Sequence, residues 1–373
     1  MDNIIKKKNR EKFNIYIFLS TFARSLIEVF IGTILYKAGY ELKEVMFYYL
    51  MVNVFSVLLV YPCILLLKKH CYKIMIFLEI ISFFMLQVLL NSVRINSIFL
   101  IIIAFLFALY RRIYWMSRRF YNLEVIEKEN VAKDYSIISI LNQIALLLSG
   151  YIGAIMLEFV DIKILTVLST LLFLISSIFM FQIEETKNDN VKLELKVTFK
   201  NLLNPEMITY GCFELLNVIK FLIPLYLVIH VSNTYTIIGI VNLIVNLATI
   251  IFTYIYGRII NKEKNYLKLS IVIVLMIYIL KINTSGGLLM LVSFLEGLGV
   301  KMYEQSVQKV FLVISKKHDY YNSIFLYEFV QNVFRTICML VIFFFIRDLK
   351  MMIYFTLVLM AIPLVVKNKV NNE

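Results

Sequence analysis

Residues 98–117 read IFLIIIAFLFALYRRIYWMS, apolar through Leu109 and then carrying Arg111 and Arg112. Twenty helical residues span the roughly 30 Å hydrocarbon core of a bilayer. A charge at mid-bilayer costs roughly 2.5–3.5 kcal/mol even on lenient insertion scales, so such a side chain faces a partner or a water-filled cavity. The stretch therefore reads as a crossing helix with its arginines turned inward.

Similar runs fill the rest of the chain, which is 61% hydrophobic with a mean hydropathy of +0.82. Twelve spans are predicted, at 13–36, 45–67, 72–91, 97–117, 136–157, 164–183, 206–230, 235–256, 266–281, 287–305, 323–346 and 351–366. The ninth is short. Nothing outside them is long enough for a soluble domain. The fold class is all-α and integral to the membrane.

Charges inside these spans are not scattered. Arg24 and Glu28 lie in the first, Arg111 and Arg112 in the fourth, Glu214 and Lys220 in the seventh, and Glu296, Lys301 and Glu304 in the tenth. Glu79 in the third and the pair Glu328 and Arg335 in the eleventh are the exceptions. Six cations and six carboxylates balance, which leaves the charge preference of any central cavity open.

The formal net charge of +13 is distributed by loop. Alternate segments carry 25 Lys and Arg on one side and 7 on the other, so both termini are expected in the cytoplasm. The basic surplus is topological, with anionic lipid headgroups as its expected partner and no role for nucleic acid. Four cysteines (Cys63, Cys71, Cys212, Cys338) in spans or a cytoplasmic loop predict no disulfide framework. The first span is long, contains Arg24 and Glu28 and lacks a small-residue cleavage site, so it reads as a retained helix rather than a signal peptide.

A polar interruption near the midpoint divides the chain into a six-helix bundle at 1–183, a cytoplasmic linker at 184–205 and a second bundle at 206–373. Within the linker, Val191–Lys200 alternates like a strand but is read as irregular interfacial chain, and Asn204 and Pro205 suit the cap and first turn of the seventh helix. The halves resemble each other. Tyr61-Pro62-Cys63-Ile64-Leu65 with Lys73 aligns with Tyr256-Gly257-Arg258-Ile259-Ile260 with Lys268 at an offset of 195, and Arg112-Ile113-Tyr114 with Lys301-Met302-Tyr303 at 189. At an offset of 196 Arg24 faces Lys220. Two parallel six-helix repeats follow.

This organisation resembles the major facilitator superfamily, whose two six-helix halves hold their site near the midplane. Gly257-Arg258-Ile259-Ile260-Asn261-Lys262 is similar to that family's loop signature Gly-x-x-x-Asp-Arg, with Asn and Lys substituted. The corresponding first-half loop, Pro62–Lys73, keeps only basic character, and Gly150-Tyr151-Ile152-Gly153 is similar to the glycine-rich fifth helix of many exporters without its proline. The resemblance implies that Arg111 or Arg112 matches the family's helix-4 arginine. It also implies that Gly257, Arg258, Asn261 and Lys262 form a cytoplasmic gating loop and that spans 1, 4, 7 and 10 line the pathway. Those are the spans where the buried charges concentrate.

Candidate substrate-binding or translocation residues are therefore Arg24, Glu28, Arg111, Arg112, Glu214, Lys220, Glu296 and Lys301. Arg24 and Glu28 are four apart and share a helical face, as a structural pair or as a titratable carboxylate coupled to substrate. Arg24, Lys220, Arg112 and Lys301 would suit an anion or zwitterion through charge-assisted bonds, unless the neighbouring glutamates neutralise them. Lys301 and Glu304 are spaced to pair. Glu328 and Arg335 read as an inter-helix packing pair, Glu79 as a buried structural residue, and Arg118 and Arg119 as surface anchors or gate residues.

No Cys/His/Asp spacing predicts a metal site, no phosphate-cradling loop implicates ATP, and no nucleophile elbow appears. No cofactor and no catalytic residue are expected. The leading reading is a monomeric, multi-pass plasma-membrane transporter of a small solute, coupled to an ion gradient, most simply of protons, and favouring export. Import of an organic anion or nutrient, an intramembrane lipid-modifying enzyme, and a non-transporting sensor are the alternatives.

Overall fold

A computed structural model describes residues 2–69, 72–125, 131–183, 204–259, 266–315 and 320–366. Fourteen α-helices occupy them: α1 Asp2–Glu28, α2 Ile31–Lys37, α3 Leu42–Lys68, α4 Tyr72–Leu90, α5 Ser97–Val125, α6 Val131–Phe159, α7 Ile162–Phe181, α8 Pro205–Glu214, α9 Leu216–Tyr226, α10 Tyr235–Ile259, α11 Leu267–Lys281, α12 Gly286–Ser315, α13 Tyr320–Phe345 and α14 Leu349–Met360. No strand occurs among the described residues. The strand-like Val191–Lys200 and most of the expected linker lie outside them.

Ten segments among the described residues are long and apolar enough to cross a membrane, with α1–α2 forming one and α8–α9 another. The expected ninth and twelfth spans are shorter. α11 has 15 residues, about 22 Å, and α14 has 12. α11 ends at Lys281, whose side chain turns inward onto Glu296 rather than running on into lipid.

Two crossing segments are broken beside a carboxylate. α1 stops at Glu28 and resumes as α2; α8 stops at Glu214 and resumes as α9. The two breaks fall at different depths: Glu28 is about 20 residues into its crossing segment and Glu214 about ten into its own. Pro224 lies within α9, where it lacks the N–H that would bond the Lys220 carbonyl, and the segment finishes as a wide turn over Leu227–Val231. Asn204 and Pro205 do open α8 as cap and first residue, although the Asn204 side chain makes no capping bond.

In the first half α1 packs against α6 and α7, and α5 against α3 and α4. In the second, α12 packs against α10 and α11, and α8 against α13. The halves meet mainly along α6 with α10 and along α3 with α13. Close approach depends on small residues. A Cβ on Gly153 would come within 2.3 Å of the Leu26 carbonyl oxygen, and one on Gly239 within 2.4 Å of the Ala154 Cβ. Gly153 thus seats α6 against α1, and Gly239 of α10 seats that helix against α6.

Polarity is inverted relative to a water-soluble bundle. On α7, Ile164, Val167 and Leu171 are exposed, whereas Thr166, Ser169 and Ser176 are buried, with the Ser169 hydroxyl donating to the Ala23 carbonyl at 2.7 Å. A lipid solvent accepts the apolar face and leaves the buried polar groups to pair within the bundle.

Candidate functional site

Three groups of charges, most of them buried, lie among the helices. The first joins α5 to α13. Arg112 pairs with Glu328 and donates from Nη2 to Asn332 Oδ1 at 2.8 Å, and Arg119 reaches the same carboxylate at 2.7 Å. The Glu328 side chain is fully buried, and Gln331 donates to it. Two helical turns along α13 from Glu328, Arg335 pairs with Glu214 of α8, which also accepts from Asn217 at 2.7 Å. Glu328 and Arg335 therefore do not pair with each other. They project from one face of α13 to partners on α5 and α8.

The second group lies in the first half. Glu28 pairs with Arg24 on its own helix and with Arg111 Nε of α5 at 3.5 Å. Arg24 stacks over Tyr114 and Trp115, 4.8 and 5.3 Å from their ring centroids. Arg118 is buried and donates to the Tyr114 hydroxyl at 2.8 Å. Arg111 lies over Phe107 and, from the other half, Phe221 at 5.3 Å. The aromatic faces hold these guanidinium groups where one carboxylate would be insufficient.

The third group belongs to the second half. Lys301 and Glu304 pair at 3.2 Å, as their three-residue spacing predicts. Glu296 is taken by Lys281 of α11. Lys220 differs from the rest. It is exposed, and no ion pair or hydrogen bond joins it to the described residues. Glu304, Glu214 and Glu296 nevertheless act on it electrostatically.

These positions change the charge reading. Arg118 and Arg119, read from sequence as surface anchors or gate residues, and Lys281, at the end of the expected ninth span, are directed into the bundle, with Lys281 only 1% exposed. Glu206, near the start of α8, is the one further buried carboxylate among the described residues. The balance of six cations against six carboxylates becomes a surplus of cations. Arg24 and Lys220, aligned by the repeat, occupy unlike settings: one buried and paired, the other open. Arg112 and Lys301 are both buried and paired.

Sequence reasoning left out Glu328, Asn332, Arg335 and Arg119 as site candidates. A usable signal was present. Arg112 and Arg119 are seven apart, as are Glu328 and Arg335, so each pair marks one face over two helical turns. The gating-loop residues Gly257 and Arg258 fall in the last turn of α10, and Asn261 and Lys262 lie outside the described residues. Glu79 is buried and accepts from the Tyr16 hydroxyl at 3.5 Å. Among the described residues no group of three His, Cys, Asp or Glu side chains could hold a metal ion.

A bundle of crossing helices, joined across its interior by buried ion pairs, has the architecture of a membrane transporter. The sequence matches the Major Facilitator Superfamily over residues 13–338, and the chain belongs to that family. Its fold is similar to a bacterial homologue of the iron transporter ferroportin in an outward-facing state. That match has 12% identity and a TM-score of 0.70, and covers 98% of this chain and 100% of that one. It is also similar to the nucleoside transporter NupG, with 12% identity, a TM-score of 0.67 and coverage of 96% and 100%. A bacterial metal transporter matches at 13% identity and a TM-score of 0.62, covering 96% and 97%. Likeness at these identities concerns the fold. A search of curated proteins finds no match.

Proposed function

We propose that this chain is a secondary active transporter that carries a small organic solute by alternating access, driven by a proton gradient. Export is the favoured direction, from a monomer in the plasma membrane with both termini in the cytoplasm and anionic headgroups around its basic loops. The observation that carries this reading is Lys220. It is an exposed charged side chain, on a helix that begins just after the break at Glu214 and contains Pro224, while the carboxylates that act on it are engaged in pairs. A charge left unpaired within a crossing segment is costly unless a solute or water completes it. Elsewhere in the interior, charges pair between helices that must part when the halves rock, so solute and proton binding have bonds to trade against. The paired glycines of α6 support export.

Purified protein in liposomes tests it. A panel of labelled organic solutes is offered with a pH gradient imposed in either direction, and counterflow is measured without one. Solute movement that follows the gradient, with an accompanying proton flux, is expected. Counterflow of no solute would overturn transport; counterflow indifferent to pH and to protonophores would overturn proton coupling.

A further inference from the structure

We infer, building on the transport reading above, that the solute is a small organic anion, held by Lys220 from one half and Arg111 from the other. Four observations converge on it.

The carboxylates that act on Lys220 are already committed. Glu214 is held by Arg335, Glu296 by Lys281 and Glu304 by Lys301. A cationic solute arriving beside Lys220 would have to displace one of these pairs. An anion displaces none.

Arg111 has donors to spare. Its contact with Glu28 runs through Nε at 3.5 Å, and that carboxylate is shared with Arg24. The two Nη groups make no hydrogen bond to the described residues. Such a planar fork matches a carboxylate or phosphate in two parallel bonds.

The two cations are brought near each other by α5 and α9. The Arg111 guanidinium lies 5.3 Å from the Phe221 ring, and Phe221 follows Lys220 in α9. Phe221 in turn stacks on Tyr49 of α3 at 4.7 Å, which gives the organic part of a solute an aromatic wall. Arg335 acts on both Arg111 and Lys220, its own charge being met by Glu214.

Finally, the Tyr48 hydroxyl is buried with no hydrogen-bond partner and lies within the fields of Glu28 and Arg111. A donor stranded beside an arginine is what an acceptor oxygen would satisfy.

The test reads the field without needing to know the solute. Asn217 lies one turn before Lys220 and is half-buried. In an Asn217→Cys protein, the rates of thiol labelling by an anionic sulfonate reagent and by a cationic trimethylammonium reagent of equal size are compared with those of free cysteine. The anionic reagent should gain about tenfold or more in relative rate, as expected for a cleft lined by one sign of charge. Lys220→Gln and Arg111→Gln should each remove most of that gain, and Lys220→Arg should keep it. A ratio equal to that of free cysteine or favouring the cation, a gain untouched by both Gln variants, or a thiol closed to both reagents overturns the proposal. Liposome counterflow run in parallel separates the two readings: its absence counts against transport, whereas the labelling ratio alone decides the anion site.

Discussion

Arg119 of α5 lies 2.7 Å from Glu328 of α13, on the carboxylate that also holds Arg112. One fully buried anion therefore ties two arginines of the first half to the second. Its partners are seven residues apart, so they approach from one face of α5.

Removing that anion should leave two guanidinium groups uncompensated. Glu328→Gln is expected to destabilise the protein by about 3–5 kcal/mol, the usual cost of breaking a buried pair from one side. Thermal unfolding in detergent checks this, with Glu328→Asp as the variant that keeps the charge. An unchanged midpoint for Glu328→Gln would show that water already compensates the arginines.

Lys281 and Glu296 should behave as a unit. Lys281→Met alone strands a carboxylate and Glu296→Leu alone strands an ammonium, whereas the double variant replaces the pair by apolar contact. A double-mutant cycle on unfolding should return a coupling energy of about 0.5–3 kcal/mol. Additive effects would mean that the two side chains do not depend on each other.

Gly153 and Gly287 form a contrasting pair. Gly153→Ala drives a methyl within 2.3 Å of the Leu26 carbonyl oxygen, which must move α6 away from α1, at about 1–3 kcal/mol. A Cβ at Gly287 meets nothing within 4 Å, so Gly287→Ala should be neutral or stabilising by about 0.4–1 kcal/mol. The yield of folded protein and its melting temperature compare them. Equal effects would remove the argument that Gly153 seats α6.

The loop charges make a prediction about orientation. Reporter fusions at the two termini should both be active in the cytoplasm, and fusions between α1–α2 and α3 should not. A reporter at Arg94, in the loop between α4 and α5, should also read as extracytoplasmic. Opposite signals from the two termini would contradict the even number of crossings.

Much of the architecture was legible because a bilayer imposes a length and a polarity that local sequence must meet. The run from Ile98 to Ser117 is long enough to cross, and α5 is the helix it forms. Helix pairs within one segment were equally legible. Arg24 with Glu28 and Lys301 with Glu304 follow from spacing, because a helix carries residues three and four apart on the same face. The ends of segments were less so. Arg119 and Lys281 sit where an apolar run gives out, and there sequence alone does not tell a surface anchor from a side chain turned inward.

By itself the sequence determined an all-helical membrane chain with charges set inside several of its crossing helices. Tertiary structure alone decided who pairs with whom. Glu328 meets Arg112, 216 positions earlier in the chain, and Arg335 meets Glu214, because α13 packs against both α5's neighbour α3 and α8. The packing also left Lys220 open while its neighbours closed on one another. Periodicity reports the direction a side chain takes from its own helix; only the arrangement of helices reports what stands there to receive it.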